Sequence, residues 1–213
     1  MANTQARSED FKTELCRLSY AQALFKARSQ EEGGKKKFSP TLIFLKSYKQ
    51  VLEKIVAKVI SEQWGLEGLK RASKMIIKSP FLAGDGKEAH SKKTGDLHPG
   101  MGPDVFFVRA TANEDRQPYV WFRNPEIREV DDSEVYSGCF GKAVLNAFTW
   151  ANAAGGEGVS FGISKFQKLK EGERLGNPSA EADADKWHET IADEGPAPET
   201  TKNGGGAAGL FGD

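Results

Sequence analysis

The sequence predicts a mainly β protein: a small barrel of short antiparallel strands, one or two helices inserted between them, and a disordered acidic C-terminal tail. Three observations carry this. Five or six short segments alternate apolar and polar residues or concentrate β-branched and aromatic ones, with glycine-rich turns between them. One segment, from Val51 to Ile60, places its apolar residues at helical spacing. After Gly176 the hydrophobic pattern stops, and Pro, Gly, Ala and acidic residues take over. Short strands in that number favour a barrel, because closure removes exposed edges. The folded domain is expected over 1–176, with 1–9 frayed, and the tail over 177–213.

The elements follow in order. Phe11 to Leu24 reads as a first strand region, with "ELCRLSYA" alternating. "QEEGGKKK" is a turn, and Lys37 to Lys46 a second strand in which Pro40 implies an edge or a bulge. Ser47 and Gln50 are spaced as a capping box, and Val51, Leu52, Ile55, Val56, Val59 and Ile60 form one helical stripe. Gly65 can end that helix, and a weaker one spans Leu66 to Met75. The Gly- and Lys-rich connection from Lys78 to Pro103 has the length of a functional or disordered loop. "DVFFVRATA", "PYVWF" and "SEVYSGCFGKAVLNAFTW" are three further strands, and "NAAGGEG" is a tight turn into "VSFGISKFQKLK".

Charged residues make up 28% of the 213-residue chain, and no apolar run approaches membrane-spanning length. The N-terminus carries no apolar signal core, so a cytoplasmic protein without membrane association is expected. Cys16 and Cys139 are the only cysteines; a disulfide is open to them, but two cytoplasmic thiols are more often buried and reduced. The zero net charge conceals an asymmetry: 177–213 hold eight acids and two bases, for −6, which leaves +6 on 1–176. A basic body with an acidic tail suits a polyanion partner and an internal competitor for it.

Catalytic motifs are sparse. No GxxxxGK leads into Ser or Thr, no GxSxG elbow is present, and His90, His98 and Cys139 lack metal-ligand spacing. Asp104, Glu126, Asp131, Asp132 and Glu134 are the candidates for a metal-dependent nuclease, the alternative reading, and would have to converge around two ions.

Aromatic and basic residues interleave instead. On a regular strand, "VFFVRAT" puts Phe106, Val108 and Ala110 on a core face and Phe107, Arg109 and Thr111 on the other. Tyr119 and Trp121 share a face, as do Tyr136, Phe140 and Lys142. Rings that stack bases beside cations that follow phosphates are the chemistry of single-strand binding. The candidate site is therefore Phe107, Arg109, Tyr119, Trp121, Tyr136, Phe140 and Lys142, with the lysines Lys78, Lys87, Lys92 and Lys93 of the long connection. Gly138 and Gly141 are expected to bend a barrel corner and leave room for bases.

With "RLSYAQALFK", "FSPTLIFLKS", "SPFLAGDGKE", "SEVYSGCFGKAVLNAF" and "GVSFGISKFQKLKEGERLG" in this order, the chain resembles the OB-fold single-stranded-DNA-binding proteins of tailed bacteriophages over nearly all of residues 17–176. The resemblance implies an OB barrel, sequence-tolerant binding of single-stranded DNA, a role in phage replication and recombination in the bacterial host cytoplasm, and no catalysis. No metal, nucleotide or other cofactor is needed. The tail is expected to modulate binding and to recruit a polymerase, helicase or primase, with Leu210 and Phe211 as its apolar anchor. The oligomeric state is left open between monomer and homodimer.

Overall fold

Five strands close into a ring. The computed structural model describes residues 5–29 and 33–176; the segment 177–213, on which the tail expectation and Leu210 and Phe211 fall, lies outside the described residues. The ring strands are β2 (Cys16–Ser19), β4 (Thr41–Leu45), β6 (Val105–Asn113), β9 (Glu157–Lys170) and β8 (Phe140–Ala151), paired in that order, with β8 returning to β2. Every pairing is antiparallel except β6 with β9. In chain order this is a five-stranded OB barrel whose first to fifth strands are β2, β4, β6, β8 and β9.

Four shorter strands extend it. β1 (Phe11–Lys12) adds to β8, and β7 (Tyr119–Trp121) runs parallel to β9. β3 (Lys37–Phe38) and β5 (Leu82–Ala83) both pair with β6. The register of β3 on β6, Phe38↔Ala112, continues as Thr41↔Arg109 in β4. Pro40 thus interrupts the ladder without shifting it, as a residue with no N–H must. The first strand region is shorter than expected: it turns at Tyr20, which adopts a positive φ of 55°, into the one-turn helix α1 (Gln22–Phe25). The residues expected to fray pair in part, since Ser8 N donates to Ala147 O and Thr149 N to Ala6 O.

The core follows the alternation. Phe106, Val108 and Ala110 point inward as expected and meet Leu18, Leu42, Phe44, Ala143, Leu145, Phe161 and Phe166. Helix α2 (Lys49–Ser73) adds Leu52, Val56, Val59 and Ile60 to the same cluster. The capping box does not form: Tyr48 is the N-cap residue and no side chain caps the helix. Entry is fixed instead by Tyr48, which is buried with its ring 5.4 Å from Phe44. The helix phase this sets leaves Val51 at 46% exposure, off the stripe predicted for it. Gly65 breaks the helical path (φ 62°, ψ −157°), dividing α2 where the sequence divides it. Cys16 and Cys139 are buried free thiols.

Candidate nucleic-acid interface

The register places residues on the outside of the barrel in rows. Phe140 pairs with Arg17, Arg17 with Ile43, and Ile43 with Phe107. The adjoining row runs Ser19, Thr41, Arg109. These rows cover the second and third ring strands, the face on which OB barrels take oligonucleotides.

Part of this face is occupied by the chain itself. The connection after α2 does not project as a loop; β5 docks it on β6, and a short 3-10 turn, Lys87–Ala89, follows. Ile43, Ala89 and Phe107 form a second buried cluster, covered by Leu82, Met101, Val105 and Leu175. Phe107, expected on the exposed face, is therefore a core residue at 2% exposure. The alternation placed its ring outside the barrel correctly, but the connection buries it there.

What remains open forms a rim around that cluster. At one end the Arg17 guanidinium lies 5.6 Å from the centre of the half-buried Phe140 ring and donates to Gly138 O and Glu173 O. On the side of the β2–β4 connection, exposed Tyr20 meets His98 edge to face, with ring centres 6.5 Å apart. Arg109 is exposed and ion-paired with Glu88 at 3.1 Å. Lys87, Lys92 and Lys93 are exposed on the connection.

The other candidates fall elsewhere. Tyr136 lies in the turn before β8 rather than on the strand and is 8% exposed, so it does not share the face that Phe140 and Lys142 present along β8. Its hydroxyl donates to the Glu171 carboxylate at 2.6 Å and accepts from Gly172 N, and its ring lies 4.0 Å from the Arg174 guanidinium. Buried Lys168 donates to Glu134 O and Glu171, 4.2 Å from the Phe122 ring. Burial pushes the Tyr136 phenol up, and the bond to Glu171 adds to this. The bonds from Lys168 and then Tyr136 hold the Glu171 carboxyl low. This cluster fastens residues 171–175 to the barrel. Trp121, Gln167 and Lys142 form a row across β7, β9 and β8, with Tyr119 and Lys165 beside it, on the β9 side of Phe140 and away from Arg109. Lys78 bridges to Gly158.

The two glycines have a different use from the one expected. Gly138 has φ +115°, and an added Cβ would overlap the Glu173 carbonyl. At Gly141 a Cβ would meet Gln167 O and the Phe166 ring. The room they leave is filled by the chain's own C-terminal segment and by β9. Sequence reading missed Arg17, Tyr20 and His98. Arg17 was legible as a cation alternating with Cys16 and Leu18, whereas the Tyr20–His98 pair depends on a long-range fold of the connection.

The acids weighed for a nuclease do not gather. Among the described residues no group of three His, Cys, Asp or Glu side chains could hold a metal ion. Asp131 instead accepts from Ser133 N and its hydroxyl, which hold its carboxyl low. Burial pushes both thiols up, Cys139 to about 11.

Comparison with known proteins agrees with this architecture. A putative protein, p50, of Acyrthosiphon pisum secondary endosymbiont phage 1 is 26% identical over 164 residues, which cover 74% of this chain and 81% of that one. The single-stranded DNA-binding protein of bacteriophage Enc34, solved in complex with ssDNA, superposes with a TM-score of 0.55 at 21% identity, over 78% of this chain and 89% of that one. The fold also matches gp2.5, a single-stranded DNA-binding protein encoded by bacteriophage T7, with a TM-score of 0.51 at 11% identity, over 92% of this chain and all of the other. Residues 9–195 match the family of the ssDNA-binding protein of Enterobacter phage Enc34, and the chain belongs to that family.

Proposed function

We propose that this protein binds single-stranded DNA without sequence preference, along the rim of the outer β2–β4–β6 face, and coats and protects the strand during phage replication and recombination. The observation that carries the site assignment is the placement of Phe140 and Arg109 on the two rows of the OB ligand face. In this reading bases stack on Phe140 and Tyr20. Arg109, Lys87, Lys92 and Lys93 meet phosphates, and Arg17 holds the Phe140 ring in place. Coating needs no bond cleavage; a protein that binds only the unpaired form melts hairpins by mass action. It acts in the cytoplasm of the bacterial host, and among the described residues no helix is long and apolar enough to cross a membrane.

The composition of 177–213 supports a disordered acidic tail that competes with DNA for the basic domain and offers Leu210 and Phe211 to replication proteins such as a polymerase, helicase or primase. The test of function is a labelled single strand mixed with the protein and magnesium. A mobility shift with intact strand supports binding; cleavage would return the nuclease reading. Truncation after Gly176 is expected to tighten binding at low salt, with the gain shrinking as salt rises. An unchanged affinity at low salt would make the tail a passive extension.

A further inference from the structure

The outer surface that carries Arg109 continues round the barrel. Thr111 pairs with Gly162, and Gly162 with Asn146, so the face passes from β6 across β9 to β8. At the far end of β8, Phe148 and Trp150 project on this side, both half-buried. Their partners on β9 are Ser160 and Gly158, small residues that leave the rings standing above a flat floor. Two extended segments border them. Arg7 bridges to Phe148, its guanidinium 5.3 Å from the ring centre, and Lys78 bridges to Gly158, its ammonium 5.8 Å from the Trp150 ring.

Trp150 has an evident structural task, since it covers Gly158, where an added Cβ would meet the indole. That task does not account for the cations. Arg7 and Lys78 are exposed, and neither forms an ion pair among the described residues. Arg109, Arg17, Arg71 and Lys168, by contrast, each face a carboxylate. Two unneutralised cations flanking two rings on one open face match the demands of a nucleic-acid strand: phosphates outside, bases against aromatic surface. Trp150 lies ten positions along β8 from Phe140, roughly 33 Å of strand at ~3.3 Å per residue. Between them, Asp10 accepts from Asn146 and β1 pairs along the edge of the strand.

We infer that Arg7, Phe148, Trp150 and Lys78 form a second contact surface for single-stranded nucleic acid, reached only by strands long enough to pass beyond the rim around Phe140 and Arg109. The inference rests on the single-strand reading. It makes Arg7 and Lys78 phosphate contacts and Trp150 and Phe148 stacking platforms.

The test uses the full-length protein and the double variant Arg7→Gln/Lys78→Gln, which leaves both rings and the Gly158 cover intact. Oligo-dT of about 5 and about 20 nucleotides, spanning the ~4–16 nucleotides an OB barrel covers, is titrated by fluorescence anisotropy across a salt series. The expected result is unchanged affinity for the short strand, about tenfold weaker binding of the long one, and a salt slope for the long strand shallower by about 1.4, two phosphates at ~0.7 each. Long-strand affinity and slope equal to the parent protein would overturn the inference. So would equal weakening of both lengths, which would place the cations in the primary site. A parent protein that binds neither length would instead sink the single-strand reading itself. Trp150→Phe, which keeps a ring over Gly158, serves as a second variant; its thermal midpoint is checked first, and it should weaken only the long strand.

Discussion

Phe107 and Phe140 occupy one row of the outer face, yet the structure gives them opposite tasks. Phe107 is 2% exposed among Ile43, Ala89, Leu82, Met101 and Leu175. Phe107→Ala should cost about 3–5 kcal/mol of stability, since a buried phenyl leaves a cavity that its neighbours fill only in part. In a protein of this size that lowers the thermal midpoint by roughly 6–20 °C, with affinity per folded molecule unchanged. Phe140 is half-buried and partnered mainly by Arg17 and Gly172. Phe140→Ala should cost only about 1 kcal/mol of stability, the scale of a lost cation–π contact, and weaken single-strand binding by ~1–3 kcal/mol, about 5- to 150-fold. Calorimetry gives the first quantity and anisotropy with active-site-corrected protein the second. If Phe107→Ala keeps its midpoint but loses affinity, its ring reaches DNA and the cover over β6 is not part of the working surface. If Phe140→Ala loses stability alone, the rim is not where bases stack.

Three further outcomes follow from single positions. Gly138→Ala should destabilise the fold by about 1–3 kcal/mol, because the site combines φ +115° with direct overlap on Glu173 O; a midpoint within a degree of the parent protein in a denaturation scan would contradict that geometry. Glu88→Gln frees Arg109 from its ion pair and should tighten single-strand binding at low salt; an affinity unchanged or weaker would remove Arg109 from the interface. Burial holds both thiols protonated, Cys139 up to about 11, so a thiol reagent at pH 8 should label neither until the protein unfolds; rapid native labelling would show an opening at the β2–β8 seam.

Much of the fold was legible in local pattern. The alternation of Phe106, Val108 and Ala110, the helical stripe of Leu52, Val56, Val59 and Ile60, and the break at Gly65 each follow from periodicity or backbone freedom within a few residues. The site was legible only in part, because alternation tells which side of a strand a residue takes and not what lies over that side. Phe107 was placed on the outer face, but burial there depends on a connection whose docking through Leu82 and Met101 has no local signature. Tyr136 was lost for a related reason. Even spacing counts only along continuous strand, and the turn through Ser137 and Gly138 resets the face before Phe140. Gly138 and Gly141 stand out in the sequence, but a close approach by residues 25 or more positions away cannot be read from their neighbours. Arg17 was the readable omission: a cation alternating with two core residues on a strand had to face outward.

The central claim is that the strand lies along the rim of the β2–β4–β6 face. Photo-cross-linking with an iodouracil-substituted single strand, followed by mapping of the modified residues by mass spectrometry, tests it most directly. Cross-links are expected at Phe140, Tyr20 and His98, and none at Phe107. Cross-links confined to Tyr119 and Trp121, on the β7–β9 face, would contradict the claim and move the interface to the other side of β8.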